Sequence, residues 1–87
     1  MTPDESQSLA VFLMVGLRAA GDAGRGEDRL LLDARREGFA DLAAPDLQLQ
    51  LRGLADKSWL APYNSPLGGK RWRITARGES ALAEQGL

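Results

Sequence analysis

The stretch from Trp59 to Gly78 restricts the fold more than any other part of this chain. Residues 59–63 and 70–75 suit two short strands, and the run between them, 64–69, is rich in proline and glycine. A helix is expected directly afterwards, over about residues 76–85. The stretch therefore predicts a β-hairpin that leads straight into a C-terminal helix.

The second strand of this hairpin has an apolar side and a basic side. Trp72 and Ile74 alternate with Arg71 and Arg73, and successive side chains of a strand point to opposite faces. The apolar side predicts burial rather than a platform for stacking single-stranded bases. The basic side is either a binding surface or only the solvated side of an edge strand, where positive charge also discourages pairing with other chains. Pro62 likewise suits an edge strand.

Length and composition exclude several classes of protein. Eighty-seven residues suit one small domain, spanning 1–87, and the chain has neither cysteine nor histidine. Disulfides, thiolate chemistry and the usual zinc ligand sets are therefore excluded. The pairs Asp4-Glu5 and Glu27-Asp28 each stand in the first turn of an expected helix, where the helix dipole explains them. We expect neither an enzyme nor a cofactor site.

No membrane segment is expected. The longest apolar run, Leu9 to Leu17, is about half as long as a membrane-spanning helix and follows acidic residues rather than a basic segment. Lysine occurs only at Lys57 and Lys70 while arginine is plentiful, which is typical of a GC-rich bacterial genome or its phages. We expect a cytoplasmic protein of bacterial or phage origin.

A first helix is predicted from Pro3 to Gly21. Thr2 can cap it, and Glu5 stands where a capping box requires an acid. Five positions repeat with helical spacing on one face: Leu9, Phe12, Leu13, Gly16 and Leu17. Three further apolar residues, Val11, Met14 and Val15, fall outside that face. The helix is therefore either a central core helix or the seam of a dimer.

A second helix is predicted over about residues 27–37. The preceding run 21–26 contains three glycines and predicts a loop without helix or strand. Gly38 is expected to end the helix in a left-handed conformation. Its inward positions are Leu30, Leu31 and Ala34, whereas Leu32 points away from them.

Residues 46–52 fit two structures. Strict alternation of leucine with polar residues indicates a strand, whereas Pro45 and the spacing of Leu47, Leu51 and Leu54 indicate a helix that continues to Lys57. We favour the helix. Its other face then carries Gln48, Leu49, Arg52, Gly53 and Asp56. The short link 38–44 predicts that this helix and the second one pack as a helix-turn-helix.

Positive charge is concentrated in one region. Residues 1–43 hold eight acids and five bases, residues 79–87 hold two acids, and residues 44–78 hold six bases and two acids. The last region therefore has a net charge of +4 in a chain of net charge −1. Attraction to phosphate depends on such a local field, so a focused contact with nucleic acid is compatible with the low isoelectric point.

The order of elements and two motifs resemble the winged helix-turn-helix domains of MarR-like and PadR-like bacterial transcription regulators. The motifs are 51–60, Leu-Arg-Gly-Leu-Ala-Asp-Lys-Ser-Trp-Leu, and 69–78, Gly-Lys-Arg-Trp-Arg-Ile-Thr-Ala-Arg-Gly. The resemblance implies a small α+β domain with three helices, a two-stranded β-hairpin wing and a short C-terminal helix. Such regulators usually use extra terminal helices for dimerisation, and we expect none here, so a homodimer would use the first or the last helix.

The expected function is binding of double-stranded DNA by a transcriptional regulator or accessory protein. The third helix would lie in the major groove with Gln48, Leu49 and Arg52 near bases. The outer side of the hairpin, formed by Lys70, Arg71 and Arg73, would contact phosphate or the minor groove. The residues expected to contact DNA are Gln48, Leu49, Arg52, Lys57, Lys70, Arg71, Arg73 and Arg77. The alternative is a protein interaction module, such as an adaptor or inhibitor of a host protein, that does not bind DNA.

Overall fold

The computed structural model describes residues 1–66 and 69–87. It is an α+β fold in which the described residues form four α-helices and a three-stranded antiparallel sheet. The helices are α1 (Pro3–Ala20), α2 (Glu27–Arg36), α3 (Ala44–Asp56) and α4 (Ala76–Glu84), and the strands are β1 (Arg25–Gly26), β2 (Leu60–Asn64) and β3 (Lys70–Ile74). The sheet order β1-β3-β2 places β3 in the centre. The expected α+β class is confirmed.

The ends of α1 lie where the capping residues predicted them. Thr2 Oγ1 accepts a hydrogen bond from the backbone N–H of Glu5 at 3.2 Å and donates one to the Glu5 carboxylate at 3.2 Å. Pro3 is the first helical residue, and Gly21 follows the last with a φ of 66°. Local residue chemistry therefore sets both ends of this helix: a side-chain cap at Thr2 and a glycine with positive φ at Gly21.

The end of α2 is also confirmed. Gly38 has a φ of 114°, which suits glycine, and the backbone N–H of Phe39 reaches back to the Ala34 carbonyl at 3.1 Å. This hydrogen bond is the one that closes a Schellman motif. Leu30 and Ala34 are buried as predicted, Leu31 is half-buried, and Leu32 is exposed.

The helical interpretation of residues 46–52 is confirmed. The helix α3 begins at Ala44, so Pro45 is its second residue, where a missing backbone N–H costs nothing. Leu47, Leu51 and Leu54 are all buried. Burial of one continuous leucine stripe outweighs the alternating pattern, because only the helix places all three residues on the same side.

Leucine dominates the core between the helices and the sheet. The largest fully buried side chains of the described residues are Leu9, Leu13, Leu17, Leu30, Leu47, Leu51, Leu60 and Leu82. Met14 is also buried although it lies outside the five-residue face of α1, which agrees with the interpretation of α1 as a central core helix. The reason is tertiary, because α1 contacts α2, α3, α4 and β3 and is therefore covered over a wider arc than one stripe.

The prediction of a plain loop over residues 21–26 is wrong, and so is the prediction of a sheet with two strands. Residues Gly21–Ala23 form a short 3-10 helix, and β1 pairs with β3 so that Arg25 lies opposite Trp72. Gly24 permits this approach, since a Cβ atom there would lie 2.2 Å from the Trp72 carbonyl oxygen. Gly24, one of the glycines that disfavour a strand locally, is thus the residue that lets this segment pack closely against the sheet.

The hairpin and the C-terminal helix follow the prediction where they are described. Pro62 lies in β2, which is an edge strand, and Thr75 Oγ1 caps α4 by accepting from the backbone N–H of Gly78 at 3.0 Å. Part of the predicted proline- and glycine-rich turn, residues 67 and 68, lies outside the described residues. None of the described helices is long and apolar enough to span a membrane.

Candidate nucleic-acid interface

One side of α3 brings together three of the residues predicted to contact DNA. Gln48, Leu49 and Arg52 are all exposed, and Leu49 keeps 67% of its surface accessible. The opposite side of the helix is anchored in the core by its leucine stripe. The two faces of α3 therefore divide as the sequence predicts, and the exposed face also carries Gly53 and the acid Asp56.

The outer face of the hairpin carries Tyr63, Arg71 and Arg73. Arg71 lies directly opposite Tyr63 in the strand register, and the guanidinium carbon of Arg73 lies 4.8 Å from the centroid of the Tyr63 ring. The Tyr63 hydroxyl donates hydrogen bonds to the backbone carbonyls of Asp22, at 3.3 Å, and Ala23. The Tyr63 ring is thus fixed by the β2 backbone at one end and by its hydroxyl hydrogen bonds at the other. The face of this ring attracts the Arg73 guanidinium.

Lys70 does not belong to this outer face, contrary to the expectation that it lies beside Arg71 and Arg73. Its Nζ atom lies 5.1 Å from the centroid of the Trp72 ring. Strand alternation explains the correction, because Lys70 and Trp72 are two residues apart and share a face. Lys70 therefore lies over the ring of the buried tryptophan, on the same side of the sheet as Trp72.

Lys57 and Arg77 lie at the two junctions that flank the hairpin. Lys57 Nζ lies 4.7 Å from the centroid of the half-buried Trp59 ring, just after the end of α3. Arg77 is exposed at the second position of α4. A cation in the first turn of a helix opposes the helix dipole, so the fold itself gains nothing from a base at this position.

The basic residues of these elements have no acidic partners. Among the described residues, none of the following forms an ion pair: Arg52, Lys57, Lys70, Arg71, Arg73 and Arg77. Both ion pairs that the described residues do form belong to Asp33, which contacts Arg25 at 2.7 Å and Arg29 at 3.0 Å. Within the described part of the chain, these six bases are therefore not engaged in ion pairs and their charge is available to a ligand.

One carboxylate links α3 to the hairpin. Glu27 Oε2 accepts from Gln48 Nε2 and Glu27 Oε1 accepts from Trp72 Nε1, both at 3.2 Å. The exposed face of α3 and the middle of β3 are therefore neighbours, separated by one side chain. From the sequence, Glu27 was expected only to interact with the α2 dipole. No local pattern connects it to Gln48 and Trp72, which lie 21 and 45 positions away.

A groove of about 400 Å³ lies between α1 and α3. Its walls include Val11 and Met14 of α1, the exposed Leu49 of α3, and Trp59. Lys57 is the one charged residue among the described residues that line it. Gly53 also lines the groove, and a Cβ atom there would meet no atom within 4 Å. Packing inside this chain therefore does not require glycine at that position.

The described residues provide no cluster of three histidine, cysteine, aspartate or glutamate side chains that could hold a metal ion. Three candidate recognition surfaces are the exposed face of α3, the outer face of the hairpin and the α1/α3 groove.

No protein-family model, curated protein or solved structure matches this chain. A functional interpretation must therefore come from the residues and their arrangement.

Proposed function

We propose that this chain is a winged helix-turn-helix protein that binds double-stranded DNA, as a transcriptional regulator or accessory DNA-binding protein of bacterial or phage origin acting in the cytoplasm. The observation that carries the proposal is the set of six basic residues without ion pairs on α3, the hairpin and the start of α4. Uncompensated bases on neighbouring exposed elements provide the field that a phosphate backbone requires.

The side chains suggest a division between base contacts and phosphate contacts. Arg52 projects from the exposed face of α3, and an arginine in the major groove can bind guanine through two hydrogen bonds. Arg71 and Arg73 lie on the outer face of the hairpin, where the wing of such a domain would reach phosphate or the minor groove. Helix contacts would then select sequence, and wing contacts would supply affinity.

The same surface also contains acids that limit affinity. Asp46 and Asp56 are exposed on α3, and Glu27 and Asp28 lie with Lys70 around a shallow depression beside the hairpin. These carboxylates repel phosphate, so binding to random DNA should be weak. A homodimer through α1 or α4 remains a prediction, which sedimentation velocity would test.

We expect Arg52→Ala and Arg73→Ala to weaken DNA binding in different ways. Arg52→Ala should cost about 1 to 3 kcal/mol on a selected site and relax preference at one base pair. Arg73→Ala, like Arg71→Ala, should weaken all sequences alike and reduce the slope of log affinity against log salt by about one. Fluorescence anisotropy on selected and random duplexes between 50 and 200 mM salt would measure both effects.

Arg36→Ala is the matched control for these variants. It removes the same charge from an exposed position in the last turn of α2, at the opposite end of that helix from Glu27. Equal losses in Arg36→Ala and Arg73→Ala would show that only net charge matters. Absence of binding by the wild-type protein at 50 mM salt, where phosphate contacts are strongest, would refute the DNA-binding proposal.

A second candidate function is recognition of a protein partner through the α1/α3 groove. Two residues favour it: Leu49, which is exposed, and Gly53, which the packing of this chain does not require. A glycine in the middle of a helix lets a partner approach closely, and it costs about 1 kcal/mol in helix stability. The described residues that line the groove are mainly apolar side chains and glutamine amides, together with the positively charged Lys57. The partner that fits is an amphipathic segment with an apolar anchor and a carboxylate.

The groove can be tested without interference from DNA. We expect a protein captured from nuclease-treated bacterial lysate to be lost with Leu49→Glu, which places a charge at the groove rim, and to be retained with Arg73→Ala. Quantitative mass spectrometry of the captured material would measure the ratio. A partner that survives Leu49→Glu, or that disappears with nuclease alone, would contradict recognition through the groove.

A further inference from the structure

The Glu27 carboxylate determines how the Gln48 amide is oriented. Glu27 is the first residue of α2 and is half-buried, and an ionised carboxylate can only accept hydrogen bonds. Gln48 must therefore turn its NH₂ group, not its carbonyl oxygen, toward Glu27. The Gln48 carbonyl oxygen and one remaining N–H are left for an external partner.

The carboxylate is itself held in place from the protein side. Its other oxygen accepts from the indole N–H of Trp72, whose side chain is only 5% exposed. A buried ring cannot rotate away without opening the core, so this donor stays fixed. In the chain of contacts from Trp72 through Glu27 to Gln48, only the last side chain is exposed.

We propose, on the basis of the DNA-binding function above, that Glu27 is a positioning residue that makes Gln48 select bases carrying an exocyclic amino group. In the major groove adenine and cytosine present an amino donor, whereas guanine and thymine present a carbonyl acceptor at the equivalent place. The exposed amide oxygen of Gln48 pairs with the first kind and opposes the second. Adenine fits best, since its N7 can also accept the remaining N–H of Gln48.

Glu27→Gln is the informative substitution because it preserves shape while reversing the constraint. The fixed Trp72 N–H needs an acceptor, so a glutamine at position 27 turns its carbonyl oxygen to Trp72 and its NH₂ group to Gln48, which then presents its own carbonyl oxygen inward and its NH₂ group outward. We expect the preference for an amino base over a keto base at one position, about fivefold or more in the wild-type protein, to be lost or reversed. Gln48→Ala should lose the preference at that same position.

Asp28→Asn is the matched control. It removes the same negative charge from the neighbouring residue, whose exposed side chain makes no hydrogen bond among the described residues. Both neutral variants should bind all DNA somewhat more tightly, because a repulsive carboxylate is gone. Only Glu27→Gln should change base preference.

The experiment is selection of duplexes from a random pool by the wild-type protein, followed by affinity measurements of all variants on the selected site and its single-base changes at 50 mM salt. A preference lost or reversed in Glu27→Gln and lost in Gln48→Ala at one shared position, with Asp28→Asn unchanged, would support the proposal. Preference retained in Glu27→Gln but lost in Gln48→Ala would overturn it. The proposal would also be overturned if the wild-type protein bound DNA without any base preference that depends on Gln48. The DNA-binding function itself would still hold in that case. Failure of the wild-type protein to bind any duplex would instead refute the function on which the proposal rests.

Discussion

Trp72→Ala is expected to lower the free energy of unfolding by about 3 to 5 kcal/mol, the range typical of a buried tryptophan replaced by alanine. The ring is 5% exposed and belongs to the core cluster, at the centre of the sheet. The substitution would leave a cavity beneath β3 and remove one of the two donors that the Glu27 carboxylate has in the native fold. It would also remove the ring over which Lys70 lies.

A loss of this size should unfold much of the population. A domain of 87 residues has a total stability of about 4 to 13 kcal/mol. Urea denaturation followed by far-UV circular dichroism would measure the change, and Trp59 remains as a fluorescent probe in the variant. Trp72→Phe is the control, since it keeps most of the apolar surface and removes the N–H donor, and should lose much less. A loss below about 1 kcal/mol in Trp72→Ala would show that this side chain is not packed in the core.

Gly78→Ala is expected to destabilise the protein by about 3 kcal/mol, at the upper end of the usual range for overpacking. A Cβ atom at this position would lie 2.2 Å from the backbone carbonyl oxygen of Trp59 and 2.8 Å from Ile74 Cγ1. The first of these neighbours is backbone and also accepts hydrogen bonds from the N–H and hydroxyl of Thr75, both at 3.0 Å. The start of α4 would have to move away from the hairpin.

Gly53→Ala is the control for this prediction. Gly53 lies within α3, where an added Cβ atom would meet nothing within 4 Å, so the same substitution should stabilise the protein by about 0.5 to 1 kcal/mol. Thermal and urea unfolding of the two variants in parallel would measure the contrast. Equal effects of the two substitutions would contradict the close approach of α4 to the Trp59 carbonyl.

The expected effect at Gly78 also explains residues 74–78, Ile-Thr-Ala-Arg-Gly, which end the second of the two motifs that resemble winged helix-turn-helix regulators. Thr75 caps α4, and Gly78 donates its N–H to that cap while lacking the side chain that would strike the preceding strand. Each of these two residues of the motif has a physical role in joining a strand to a helix. The motif therefore describes a packing requirement, and it says nothing by itself about the ligand.

Local signals predicted most of the secondary structure. The caps at Thr2 and Thr75 and the helix stop at Gly38 act within a few residues along the chain. Such contacts form whatever the rest of the molecule does, so a sequence pattern is sufficient to recognise them. The leucine stripe of α3 is similar, since its spacing alone indicates which side of the helix is apolar.

The candidate site could be predicted only in part. The outward positions of Arg52 on α3 and of Arg73 on the hairpin follow from helical and strand periodicity, and the structure places both on exposed faces. Lys70 was assigned to the wrong face because its basic neighbours suggested one continuous patch. Alternation along β3 separates it from them, and the ring of Trp72 then determines the position of its ammonium group.

The sequence by itself determined the helices, the hairpin and the concentration of positive charge between residues 44 and 78, because these depend on residue type and short spacing. Only the tertiary structure decided that the glycine-rich run contributes a third strand, and that Glu27 connects Gln48 to Trp72. The physical reason is that backbone pairing and side-chain hydrogen bonds are satisfied by whatever donor or acceptor the fold brings near. In this domain, those partners lie 21 to 47 residues away along the chain.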